Sequence, residues 1–171
     1  FQYESGQGPI LQPTLEFTLN PDTLTNGDVT IAAQVTDTHG CTDIAFLDGD
    51  TSAGDLCVAR TVAANGAYTF ILGFTLDGER KTQNYTVVVN NIDKAPPEIA
   101  VQPLTVLEGT AGDQVLAELK KAVSVTDNRG VDAITWPAAE KLTALAQEPG
   151  EKTVIVTAAD QAGNTATAQV T

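Results

Sequence analysis

The side chains in this sequence best placed to do chemistry are its carboxylates. It holds 22 Asp and Glu against 9 Lys and Arg, a formal charge of −13. The excess is spread over both halves, −8 across residues 1–95 and −5 across 96–171. Carboxylates beside amides on adaptable loops are what a hard cation wants, since calcium takes about six to eight oxygens from acids, amides and carbonyls. The set that fits is Asp93, Glu98, Asp127, Asn128, Asp160 and Asn164, all in or next to turn-rich segments. The same residue types have a second use, because Asp and Asn cap turns through their own backbone and tolerate left-handed angles. Calcium is thus the one cofactor the sequence admits. A corresponding set in the first half, Asp37, Asp43, Asp77 and Glu79, depends on Glu4 in the lead-in to complete it.

Other chemistries fail on inventory. There is one histidine, His39, between Asp37 and Gly40 in a turn, and no second His or Cys spaced to build a metal cluster or a nucleophile pair. No serine sits in a G-x-S-x-G setting, and no glycine loop opens onto a helix to cradle phosphate. A two-carboxylate glycosidase is conceivable, but two small domains offer little room for a substrate cleft. The expectation is a protein that is not an enzyme. Cys41 and Cys57, 16 apart, are the only cysteines. Oxidised, they close a loop worth roughly 3 kcal/mol; reduced, they are two packed thiols. The disulfide is the expectation taken forward.

The charge balance also limits partners. Nucleic acid and anionic membranes both need Lys and Arg clusters, which are absent, so neither is expected. No apolar run approaches the roughly twenty residues of a membrane span, so no direct membrane insertion is expected. The sequence opens at Phe1 without a basic and hydrophobic leader and reads as a processed or excised boundary. Abundant Thr and Ala, no Met and sparse Lys suit an exported protein at the cell surface.

The elements that position these residues are strands. Val35-Thr36-Asp37-Thr38-His39-Gly40-Cys41-Thr42-Asp43-Ile44 recurs as Val125-Thr126-Asp127-Asn128-Arg129-Gly130-Val131-Asp132-Ala133-Ile134, and an aromatic follows each copy, Phe46 and Trp136. A period near 90 residues suits two tandem β-domains. Alternation marks strands at Thr14–Leu19, Val29–Val35, Thr42–Leu47, Tyr68–Phe74 and Tyr85–Val89, with an Asn65-Gly66 turn. Asn90 to Pro97 is the domain boundary, since paired prolines stop a ladder and stiffen the path. Beyond it, strands are expected at Glu98–Val106, broken at Pro103, and at Ala122–Thr126, Ala133–Trp136, Lys141–Leu145, Thr153–Ala159 and Thr165–Thr171. Asp113–Lys121 carries Val115, Leu116 and Leu119 at helical spacing. Ala138–Leu145 is helical on propensity, but its Thr and bracketing prolines favour a strand. The fold class is all-β, two immunoglobulin-like β-sandwiches: residues 1–13 a lead-in, 14–95 the first domain, 96–171 the second. Phe46 and Trp136 then fall on each third strand, as core residues.

Several segments resemble the tandem Ig-like repeats of bacterial cell-surface, surface-layer and adhesin proteins. In the first half these are Asn26-Gly27-Asp28-Val29-Thr30, Asn65-Gly66-Ala67-Tyr68-Thr69-Phe70 and Val88 through Pro96. In the second they are Val123 through Asn128, Pro149-Gly150-Glu151-Lys152-Thr153-Val154 and Ala158 through Ala166. The resemblance implies a structural spacer or lattice module whose partners are other domains of the same surface protein. It equally admits an adhesin segment contacting a glycan or protein, or an accessory domain of a secreted polysaccharide-degrading enzyme. Such repeats usually lack cysteine, so the Cys pair and the acidic loop Asp48–Asp55 between them are departures. In this fold the incoming linker shares an end with the loops that hold Asp127 and Asp160, which is why calcium is expected at the interdomain junction.

Overall fold

The computed structural model describes residues 11–48, 52–53 and 56–171. About half the chain is strand and an eighth helix, arranged in several antiparallel sheets, none of them closed. No helix among the described residues is long and apolar enough to cross a membrane. The chain forms two compact units: one runs through Thr23 and resumes over Gly27–Ile92, and the other comprises Leu24–Asn26 and Asp93–Thr171.

In unit 1, β1 (Thr14–Asn20), β2 (Val29–Asp37), β4 (Ser52–Ala53) and β5 (Cys57–Val62) form one sheet in the order β1-β2-β5-β4. The second sheet is β3 (Thr42–Phe46), β6 (Gly66–Leu76) and β7 (Glu79–Val89), in the order β3-β6-β7. Strand periodicity decides the core. Val29, Ile31 and Ala33 alternate inward on β2, and Val58 and Val62 join them from β5. Phe70 and Val89 come from the other sheet, so the two sheets share one core. Phe70 is its centre, fully buried, 5.5 Å from the Phe17 ring and 6.5 Å from Phe46. The Arg60 guanidinium lies 4.1 Å from the Phe70 ring centre and reaches Asp48 at 2.7 Å, a stacked and paired geometry that Arg suits better than Lys. The β6–β7 hairpin pairs without a break from Gly66–Val89 to Leu76–Glu79.

The expected disulfide is corrected here. Cys41 and Cys57 carry thiols and are not bonded to each other. Cys41 is buried with Val35, Leu72 and Phe74. Cys57 stands one place before Val58 on β5, opposite Gln34. Val58 and its partner Ala33 face the core, so the two-residue period turns Cys57 and exposed Gln34 to the opposite face of the sheet.

Unit 2 contains a two-stranded sheet, β8 (Glu98–Val101) with β9 (Val123–Thr126), and a three-stranded one, β10 (Val131–Thr135), β11 (Val154–Asp160) and β12 (Thr165–Val170). Two helices complete it, α1 (Gly112–Ala122) and α2 (Ala139–Leu145). α1 buries Val115, Leu119 and Ala122 at helical spacing, with Asp113 in its first turn and Lys120 and Lys121 in its last, where each charge complements the helix dipole. α2 replaces the strand expected at Lys141–Leu145. Ala139, Glu140, Lys141 and Ala144 are good helix formers, Leu142 is buried, and the Thr143 hydroxyl donates to the Ala139 carbonyl. That packing outweighs the small helix penalty of one threonine. Gly112 N–H donates to Thr143 Oγ1 at 2.9 Å, and a Cβ on Gly112 would stand 1.9 Å from the Ala139 oxygen, so only glycine lets α1 and α2 come this close. The opening strand, expected to break at Pro103, ends at Val101. Phe46 and Trp136 are both partly buried against their cores, and Lys120 lies 5.8 Å from the Trp136 ring centre.

Candidate metal centre

Three turns of unit 2 bring their aspartates together. Asp93, Asp127 and Asp160 each place a carboxylate oxygen within 4.8 Å of the others, and no other such acidic, His or Cys group of three occurs among the described residues. Asp93 begins the unit, and its N–H donates to the Thr25 carbonyl at 2.8 Å. Asp127 opens the turn after β9, where Gly130 takes φ +112°, a backbone angle open to glycine. Asp160 ends β11 and opens the hairpin to β12. The N–H of Gln161 donates to the Gly130 carbonyl, tying the last two turns to each other.

Each aspartate uses Oδ1 to close its own turn. Asp93 Oδ1 accepts from the Ala95 N–H at 3.1 Å and the Asn128 amide at 3.3 Å. Asp127 Oδ1 accepts from Arg129 and Gly130 N–H at 2.8 and 2.9 Å. Asp160 Oδ1 accepts from Ala162 and Asn164 N–H at 2.9 and 2.8 Å. This is ordinary turn chemistry for Asp. It leaves a second oxygen on each: Asp160 Oδ2 takes the Asn164 amide at 2.7 Å, whereas Asp93 Oδ2 and Asp127 Oδ2 are buried and accept no hydrogen bond.

Burial makes that arrangement costly. Asp93 and Asp160 are only 4% and 3% exposed. Two unit charges 4.8 Å apart repel by about 3–4 kcal/mol at an effective dielectric near 20. Burial alone pushes the Asp160 carboxyl up, but the Asn164 side chain and the N–H groups of Asn164, Ala162 and Gly163 outweigh it and hold its pKa below the ordinary aspartate value. Asp160 therefore stays ionised, and the centre is an anionic pocket of oxygen donors with no nitrogen or sulfur ligand. Such a donor set suits hard divalent cations.

The other expected ligands lie differently. Glu98 is exposed on β8 opposite Thr126 and is not among the gathered carboxylates. Asn128 and Asn164 turn amide nitrogens toward the acids. Asn164 Nδ2 also donates to the Asp93 carbonyl at 2.8 Å and the Ala95 carbonyl at 3.2 Å, clamping the incoming segment. These amides position the carboxylates. The Thr25 carbonyl and the Gly130–Gln161 backbone bond, which fix the turns, carry no side-chain signal by which sequence could have found them.

The first-half set is not gathered. Asp37 Oδ1 accepts the His39 N–H, Asp43 and Asp77 occupy left-handed turn positions at φ 50° and 52°, and Glu79 pairs with Lys81 at 3.5 Å. Glu4 lies outside the described residues. His39 is an exposed turn residue with Nε2 2.9 Å from Thr14 Oγ1. Of the loop Asp48–Asp55, residues 49–51 and 54–55 lie outside the described residues. A cavity of about 820 Å³ opens elsewhere in unit 2, beside Leu104, Val106, Val115, Leu119, Leu142 and Leu145. Compared with models of known protein families, with curated proteins and with solved structures, the chain finds no match.

Proposed function

We propose that this chain is a non-enzymatic, load-bearing spacer module of an exported bacterial surface protein, built from two immunoglobulin-like β-units in series. The observation that carries this reading is the placement of the terminal strands. In unit 1, β1 lies beside β7, Tyr85 bonds to the Pro13 carbonyl, and Asn91 bonds to the carbonyls of Pro21 and Thr23. Contacts that advance together along both segments make the two strands parallel. In unit 2, Asn164 bonds to Asp93 and Ala95, and β12 then lies beside β8, again in parallel. Tension applied at the ends of such a unit pulls its first and last strands in opposite directions along their length. The contacts between them must then yield together, which slows forced unfolding.

The resemblance to surface repeats, the acidic composition and the absence of Met support an extracellular setting. A second reading, an adhesin-type module that contacts a glycan or protein through its loops, is favoured by the acidic sequence of the Asp48–Asp55 loop, which departs from the repeats the chain resembles. Single-molecule pulling in chelator, with handles at the two chain ends, tests the first reading. It expects two unfolding events, the one from unit 1 at clearly higher force than when that unit is pulled through Gly66 and Val89, which peels β6 from β7 one pair at a time. Equal forces in the two geometries would sink the mechanical role. Deleting residues 49–54 leaves a spacer's forces unchanged, whereas a module that binds through that loop loses its partner.

A further inference from the structure

We propose that Asp93, Asp127 and Asp160 form a calcium site inside unit 2, with the free Oδ2 atoms of Asp93 and Asp127 as its principal ligands. The inference does not depend on the mechanical reading. An acidic cluster is commonly only a set of turn caps, and here the capping is visible: one oxygen of each aspartate closes its own turn. What capping does not account for is the rest of Asp93. Its side chain is more than nine-tenths buried, and Oδ2 meets no donor although two other carboxylates face the same space. Asp127 Oδ2 is likewise buried without a donor, on a residue that is itself only partly buried. A buried carboxylate oxygen keeps its charge only with a donor or a cation. The Asx turns fix the three side chains so that one carboxylate oxygen of each lies within 4.8 Å of the others, which is preorganisation for an ion.

The chemistry selects the ion. All donors are oxygens, so softer metals that favour His or Cys gain nothing here. Oxygens on opposite sides of one calcium ion stand up to about 5 Å apart, a reach that the three oxygens, all within 4.8 Å of one another, fit; magnesium binds closer, demands stricter geometry and gives up its waters reluctantly. Three carboxylates leave one net negative charge around a divalent ion, and water supplies the remaining ligands. Because Asp93 starts the unit while Asp127 and Asp160 sit on separate turns, the ion joins three segments that are distant in sequence.

The test uses the 171-residue protein stripped with chelator and titrated with calcium chloride by calorimetry, with melting and amide NMR shifts followed in parallel. One calcium per chain is expected, with a rise in melting temperature and the largest shifts at Ala95, Arg129, Gly130 and Ala162. Magnesium is expected to bind at least tenfold more weakly. Asp127→Asn and Asp93→Asn keep the Oδ1 acceptor that closes each turn and are expected to weaken calcium at least tenfold, whereas Glu98→Gln leaves it unchanged. No heat and no melting shift at 10 mM calcium would overturn the site. So would unaltered affinity in both variants, magnesium binding as tightly as calcium, or shifts confined to other residues. The wild-type shift map decides the question even if a variant does not fold.

Discussion

The Tyr85 hydroxyl donates to the Pro13 carbonyl, tying the last strand of unit 1 to the start of its first across 72 positions of sequence. Burial, and then the neighbouring Cys41, push the Tyr85 pKa above the ordinary 10.0. The neutral phenol, which a raised pKa favours, is the form that can donate to the Pro13 carbonyl. A folded pKa raised above the unfolded one gives stability that is complete below pH 10 and is lost as pH rises through the folded value. Tyr85→Phe is expected to cost about 1 kcal/mol at pH 7 by urea unfolding, the usual net worth of one hydrogen bond. It should also flatten the loss of stability above pH 10. An alkaline limb identical in the two proteins would count against this role.

Gly112 is expected to tolerate no side chain. The added Cβ of Gly112→Ala would overlap the Ala139 carbonyl and Thr143 Oγ1, which is at 2.4 Å. Helix propensity favours Ala by about 1 kcal/mol. Overpacking against backbone typically costs about 1–3 kcal/mol or more, and here it wins. Urea unfolding should show net destabilisation of unit 2; a stabilised variant would contradict the close approach of α1 and α2.

Removing the Asn164 clamp is expected to cost about 2–3 kcal/mol, because Asn164→Ala deletes a charge-assisted bond to Asp160 and two bonds to the carbonyls of Asp93 and Ala95. The Asp160 carboxyl then loses its chief stabilising donor. Carbon-detected NMR titration should show its pKa rising from the depressed wild-type value. An unchanged pKa would show that the backbone donors suffice.

The cysteines are expected to behave as thiols. Intact mass of protein alkylated under denaturing, non-reducing conditions should show two additions, and reductant should not move the melting temperature. In the native protein Cys57, partly exposed, should react before Cys41, which is buried. A mass two hydrogens lower with no alkylation would reinstate the bond.

Local chemistry determined much that could be read in advance. Alternation marked β1, β2, β6 and β7, because a residue's face on a strand follows from its parity alone. The Asp and Gly of the repeated motif marked turns, because their conformational preferences belong to the residues themselves. Tertiary contact decided the rest. Thr143 lies in a helix because its hydroxyl meets Gly112 and Leu142 is buried beneath it. Cys57 stays apart from the buried Cys41 because sheet parity, which depends on how β5 pairs with β2, turns Cys57 to the face opposite Val58 and the core. The candidate ion site divides along the same line. That Asp93, Asp127 and Asp160 sit in turns is written in their own neighbours, whereas their convergence, the exclusion of Glu98 and the two buried oxygens without donors arise only once turns 33 or more residues apart are folded onto one another.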